Sequence, residues 1–227
     1  MRENPIIARK AFWFAASVSW LVLLTGCAIP GRPSGSVDPG ADALSGQSLY
    51  QLDSMWTSDE GREIKLAALR GRVQVVAMMF TRCQYACPAI VHDLKRIEGA
   101  LSDSERANVG FTLISFDSER DSVEALRDYR QTQRLAPGRW TLLRGGPDDV
   151  LELAALLGVK FKKDASGQFS HSTLIATLNP EGEIVLKQSG LHQDLEQAVR
   201  AVRSAAAGAR KARPVAKPEG KRAPDPR

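Results

Sequence analysis

Val73-Gln74-Val75-Val76-Ala77-Met78-Met79-Phe80-Thr81-Arg82-Cys83-Gln84-Tyr85-Ala86-Cys87-Pro88 is an apolar run that ends in two cysteines four residues apart and a proline. The run has the length and β-branched content of a buried central strand. Pro88 suits the first turn of a helix, where its missing N–H costs nothing. Residues four apart in a helical turn lie on one face with Cβ atoms about 5–6 Å apart, so the two thiols can share a metal ion or close a disulfide. A helix N-terminus adds a partial positive charge and free N–H groups that favour the thiolate. Soft-metal binding and thiol redox exchange both follow from this placement.

Outward from the motif, strands and helices alternate. Short strands are predicted over Ser48 to Leu52 and Glu63 to Lys65, around the turn Asp59-Glu60-Gly61, with the central strand over Val73 to Phe80. Ile90, Val91, Leu94, Ile97 and Leu101 give a helical period over Pro88 to Leu101, and Val109 to Phe116 is a second apolar strand. Asp121 is read as the cap of a helix running to Arg134, with Glu124 in capping-box position. Trp140 to Leu143 is a strand, Pro147 to Leu157 a helix stopped by Gly158, and Asp194 to Ala207 the closing helix. Between these helices, Thr173 to Leu178 and Glu183 to Lys187 form a hairpin across Asn179-Pro180-Glu181-Gly182. The order describes an α/β fold, a central mixed sheet flanked by helices.

The ends are different in kind. Arg2, Arg9 and Lys10 precede an apolar run from Ala11 to Leu24 that is short for a membrane span, so residues 1–26 read as a signal peptide. Its close, Leu24-Thr25-Gly26-Cys27, resembles the lipobox of bacterial lipoproteins, which implies cleavage before Cys27 and its lipidation. An uncleaved signal anchor with Cys27 as a bystander is the other reading. Both put the folded part outside the cytoplasm, tethered to a membrane of the bacterial envelope and facing the periplasm. Ala28 leaves inner and outer membrane equally open. Residues 27–46 form a Gly, Pro, Ser and Asp linker, 47–207 a single domain, and 208–227 a basic tail expected to be disordered. That tail is read either as simply solvated or as attracted to anionic lipid or an acidic partner.

Net charge is +5 for the whole chain, but the ends carry it. Residues 201–227 hold eight basic and two acidic side chains, for +6, and residues 1–26 contribute +2, leaving −3 on residues 27–200. The basic balance is therefore no argument for nucleic-acid binding by the domain. Of three cysteines, Cys27 belongs to the anchor, and the remaining pair closes too short a loop to staple a fold, so its value is local.

The chain has three histidines. His92 lies roughly 140° round the helix from Cys87 and roughly 180° from Cys83, facing away from the sulfurs. His192 reads as a polar residue in the turn ahead of the last helix. His171, in Phe169-Ser170-His171-Ser172-Thr173, comes just before the hairpin strand, where a loop can reach the sheet edge at which the Val73 strand ends.

Phe80-Thr81-x-Cys83-x-x-x-Cys87-Pro88, Ile114-Ser115-Phe116-Asp117-Ser118-Glu119-Arg120-Asp121, Trp140-Thr141 and His171-Ser172 ahead of Asn179-Pro180-Glu181-Gly182 occur in this order. Together they resemble the Sco/SenC family of membrane-tethered copper proteins, over about Gln47 to Arg200. The resemblance implies a thioredoxin-like fold in which Cys83, Cys87 and His171 bind one copper ion. It further implies a role in assembling the copper centre of cytochrome c oxidase. The implied partners are the copper-accepting subunit of that oxidase or another copper protein, and a thiol reductant for the cysteine pair. Two thiolates and an imidazole suit Cu(I), while a closed zinc site would want a fourth protein ligand.

The sequence departs from the family where Gln84, Tyr85 and Ala86 replace the usual Pro and acidic residue between the cysteines, and where Ser118 follows Asp117 in place of Pro. These changes leave the three implied ligands in place. The rival class is a thiol-disulfide oxidoreductase on the same fold, and a redox or copper sensor is a third. Against the oxidoreductase, the Cys spacing is one residue longer than Cys-x-x-Cys, no Trp precedes it, and Ser172-Thr173 offers no proline before the hairpin strand. Arg82, Tyr85, Met78 and Met79 are assigned no metal role.

Overall fold

The computed structural model describes residues 44–165, 167, 169–192 and 194–212. The signal peptide, Cys27, most of the linker and residues 213–227 lie outside them. Among the described residues there are nine strands: β1 (Trp56–Ser58), β2 (Glu63–Ile64), β3 (Val73–Met79), β4 (Val109–Ser115), β5 (Trp140–Gly145), β6 (Phe161–Lys163), β7 (Phe169–His171), β8 (Leu174–Leu178) and β9 (Ile184–Ser189). Five helices accompany them: α1 (Ala86–Ala100), α2 (Asp103–Arg106), α3 (Val123–Thr132), α4 (Pro147–Leu157) and α5 (Glu196–Ala212).

Seven strands form one mixed sheet in the order β2-β1-β5-β4-β3-β8-β9, and β6 pairs only with β7. Strands β3, β4 and β5 run parallel, joined through helices as parallel strands must be, and the outer pairings are antiparallel. Every residue of β3, β4 and β8 is buried, which is why these segments read as apolar runs rather than as alternating ones. Helix α1 packs on β3 and against α5, which also covers β8 and β9, and α4 packs on β5. This is the mixed sheet flanked by helices expected from the order of elements, in the thioredoxin-like α/β arrangement that the resemblance implied.

Several local expectations are corrected. Ser48 to Leu52 is not a strand: Leu49–Gln51 is a turn of 3-10 helix whose cap, Ser48, accepts from the N–H of Tyr50. The strand that pairs with Glu63–Ile64 is Trp56–Ser58, set by Trp56, which is fully buried. Helix α1 begins at Ala86, two residues closer to Cys83 than Pro88 suggested. The cap of α3 is Ser122, whose hydroxyl accepts from the N–H of Ala125, and not Asp121, whose carboxylate is committed elsewhere. Helix α5 runs to Ala212, past the expected Ala207.

The turn between β8 and β9 follows expectation and explains its sequence. Asn179 Oδ1 accepts from the N–H groups of Glu181 and Glu183, and Gly182 adopts φ +88°. A side chain at Gly182 would also meet the Tyr50 ring, with a Cβ only 2.5 Å from Cδ2. Gly158, at φ +83°, ends α4 as read from sequence.

Candidate metal centre

Strand β3 delivers the cysteines to the C-terminal end of the parallel strands. Cys83 sits half-buried in the turn after β3 and Cys87 is fully buried in the first turn of α1. The N–H of Cys87 donates to Cys83 Sγ at 3.2 Å, so the sulfur already takes up one of the free donors of the helix N-terminus. Both cysteines are free thiols.

That geometry divides the pair. Cys83 is pulled down to about 4, first by the hydrogen bond from Cys87, against the opposing effect of its burial, with backbone N–H groups and the His171 side chain helping. Cys87 is pushed well up, first by the same shared hydrogen bond and then by burial. One proton held between two sulfurs, with the outer sulfur nearer to solvent, makes Cys83 the thiolate and Cys87 the thiol.

His171 arrives from the far side of the sequence. It ends β7 and pairs with Phe161 of β6, so the residue read as part of a loop is the last residue of a short hairpin. Phe161, Phe169 and His171 share the inward face, while Lys162 and Ser170 are exposed on the other. The inward face packs against Phe116, whose ring centroid is 5.1 Å from those of Phe161, Phe169 and His171, and against Phe80, which meets the His171 ring edge-on at 6.0 Å. This aromatic cradle seats a hairpin that has no strand pairing with the main sheet.

The His171 ring is oriented by its own neighbour. Nδ1 lies 3.1 Å from the carbonyl oxygen of Ser172, which only accepts, so Nδ1 carries a proton and Nε2 is the nitrogen left to meet Cys83 or, once deprotonated, a metal. Ligand atoms from Cys83, Cys87 and His171 all lie within 4.8 Å of one another, the one such group of three among the described residues. Cys83 and His171 line an open depression of about 480 Å³ that is rimmed by Tyr85, which is 84 % exposed, while Cys87 is buried. His92 is exposed beside Asp93, and His192 is exposed with its backbone N–H bonded to Asp93, so both stand outside the site as the helical wheel and the turn reading placed them. Met78 and Met79 are core residues.

Sequence reading missed the support beneath the cysteines. Asp121 is fully buried and its carboxylate accepts from the Thr81 N–H at 2.9 Å, the Thr81 hydroxyl at 2.6 Å and the Ser115 hydroxyl at 2.6 Å. It ties the turn ahead of Cys83 to the end of β4. A polar residue just before a helix looks the same in sequence whether it caps that helix or reaches across to another strand, so the spacing of Asp121 and Glu124 misled. The Phe161/Phe169/His171 alternation was the available signal for the β6–β7 pair.

The fold and this Cys₂His cluster define a thioredoxin-like domain with a candidate soft-metal site at the helix N-terminus. The SCO1/SenC family profile matches residues 37–207, and the chain belongs to that family. It is 23% identical over 146 residues to the SCO1 protein homolog of Bacillus subtilis (strain 168), covering 63% of this chain and 75% of that one. The crystal structure of a SCO1/SenC family lipoprotein from Bacillus anthracis str. Ames superposes with a TM-score of 0.62 at 25% identity, covering 72% of this chain and 99% of the other. Arabidopsis thaliana ScoI with copper bound gives a TM-score of 0.57 at 22% identity, covering 66% and 96%.

Proposed function

We propose that this protein binds one copper ion through Cys83, Cys87 and His171 and passes it to a copper-accepting protein outside the cytoplasm. The convergence of the three ligand atoms within 4.8 Å carries the reading. Two sulfurs and an imidazole nitrogen form a soft, three-donor set suited to Cu(I), and a shallow open depression leaves room for an incoming donor from a client. Family membership favours the copper centre of cytochrome c oxidase as the destination, with the oxidase subunit that holds it as client. The lipobox-like Leu24-Thr25-Gly26-Cys27 supports tethering of the domain to the envelope membrane through a lipid on Cys27, facing the periplasm.

Oxidation of Cys83 and Cys87 to a disulfide removes two electrons and the one proton that the pair holds, and leaves no thiolate for the metal. A dithiol reductant must therefore return the pair to its reduced form before loading. Thiol exchange as the principal activity is the second reading, favoured by the split between an accessible Cys83 thiolate and a buried Cys87 thiol.

An anaerobic Cu(I) titration of the reduced protein against a competing chelator separates them. The copper reading expects one tight equivalent, lost in Cys83→Ser and His171→Ala. Weak binding indifferent to His171, with rapid disulfide exchange, transfers the protein to the oxidoreductase class.

A further inference from the structure

A second polar cleft lies at the other end of the sheet. Strands β3, β4 and β5 start there, and Arg72 and Arg139 stand immediately before β3 and β5. The copper ligands follow the far end of β3, about 20 Å away along seven residues of strand. The cleft encloses about 240 Å³ and is lined by Arg62, Arg72, Arg130 and Arg139 among its basic residues, against Asp59 and Glu60 as its acids.

Both acids are already used. Asp59 accepts a two-pronged ion pair from Arg130, and Glu60 pairs with Arg62 at 2.5 Å. Arg139 pairs through Nε with Glu98, which also accepts from the Trp140 indole N–H at 3.0 Å. Arg72 is different. It is half-buried, its guanidinium donates to the carbonyls of Gly138 and Val109, and no carboxylate among the described residues pairs with it. Its burial, and after that the like charge of Arg139, lower its pKa. Two guanidinium groups that line one partly desolvated cleft are stabilised by an anion bound there.

The cleft floor is preformed. Gln74, buried, donates to the Leu69 carbonyl at 3.2 Å and accepts from the Thr112 hydroxyl at 3.1 Å. A Cβ at Gly110 would fall 2.4 Å from the Gln74 amide oxygen, so the glycine is what admits that side chain. The first described segment of the chain also lies at this end. The N–H of Leu49 donates to the Gly182 carbonyl, and the Tyr50 hydroxyl meets the Leu69 carbonyl.

We propose that this cleft binds a phosphate group between Arg72 and Arg139, as free phosphate or as the headgroup of an acidic phospholipid. Guanidinium forks match phosphate oxygens in pairs, and the available volume suits a group of that size. The lipid form rests on the tether proposed above, which would hold the domain near a phospholipid surface. The phosphate binding itself is independent of the copper reading.

The test is calorimetric titration of the full-length chain in detergent with inorganic phosphate, at ionic strength held constant with chloride. One saturable equivalent is expected, weakened about tenfold or more in Arg139→Gln, which keeps the carbonyl bonds of Arg72, and likewise in Arg72→Gln. Cu(I) binding should be unchanged in both variants, so the two proposals fail separately. After reconstitution, loss of the phosphate titration in vesicles containing phosphatidylglycerol, with retention in phosphatidylcholine alone, identifies the headgroup as the occupant. Retention in both identifies free phosphate. Heat no greater than in the chloride control, or binding indifferent to both variants, overturns the proposal.

Discussion

Asp121, with no exposed surface, holds both the backbone N–H and the hydroxyl of Thr81, two residues ahead of Cys83. A carboxylate that accepts three neutral donors is hard to replace, because an amide in its place presents an NH₂ where a donor already points. Asp121→Asn is expected to lower Cu(I) affinity about 10- to 100-fold, the usual cost of losing a group that orients a ligand. Thr81→Ser keeps both bonds and should restore affinity, whereas Thr81→Val loses one. Chelator competition on the three variants, beside thermal unfolding of the metal-free forms, separates misplacement of Cys83 from a general loss of stability.

Thiol reactivity should be confined to one cysteine over a wide pH range. The Cys83 pKa is held near 4, below the ordinary thiol value, so Cys83 is ionised at neutral pH and loses its reactivity only as pH falls through that value. Cys87, shifted upward, stays protonated and buried. Iodoacetamide at pH 6 should modify Cys83 at least ten times faster than Cys87 in the reduced metal-free protein, read by peptide mass spectrometry. Equal labelling, or a rate that rises only above pH 8, would contradict the division of roles.

The aromatic cradle is expected to support both stability and ligand placement. Phe116 is 3 % exposed and touches four rings, so Phe116→Ala removes a buried aromatic at a cost of about 3–5 kcal/mol. Urea unfolding of the metal-free protein gives that figure. Copper affinity should fall with it, since the β6–β7 hairpin has no strand pairing with the main sheet to hold His171 in its place.

Cys27→Ser should release the protein from the membrane fraction of envelope preparations if the cysteine carries the lipid. Retention of the variant in membranes would instead identify an uncleaved signal anchor. The experiment leaves Cys83 and Cys87 untouched, so the soluble variant also provides the domain for metal titration.

Much of the arrangement could be read from local pattern. The seven-residue run of β3 and its partner β4 are apolar at nearly every position because both faces are covered, and a strand of that kind has few alternatives. Gly158 and Gly182 marked their turns because each adopts a positive φ that other residues rarely take. The two cysteines were legible as a pair since four residues of chain keep them close, although Cys83 lies in the turn ahead of α1 and is held to it by the Cys87 N–H rather than by sharing a helical face. Short elements were not legible in the same way. Trp56–Ser58 has three residues and no period to detect, and Leu49–Gln51 is held by Gly182 and by the Ser48 cap rather than by any repeat of its own.

Sequence by itself therefore determined the thiol pair, the helix that carries it and the strand beneath, because each rests on contacts between residues close in the chain. Only the tertiary structure decided that His171 reaches the sulfurs from more than eighty residues away, on a hairpin seated by Phe80 and Phe116. It also decided that Asp121 serves Thr81 rather than its own helix, and that Arg72 and Arg139 line one cleft. Each of these depends on which side chains the packed sheet brings together, and burial then fixes whether a group finds a partner or stands without one.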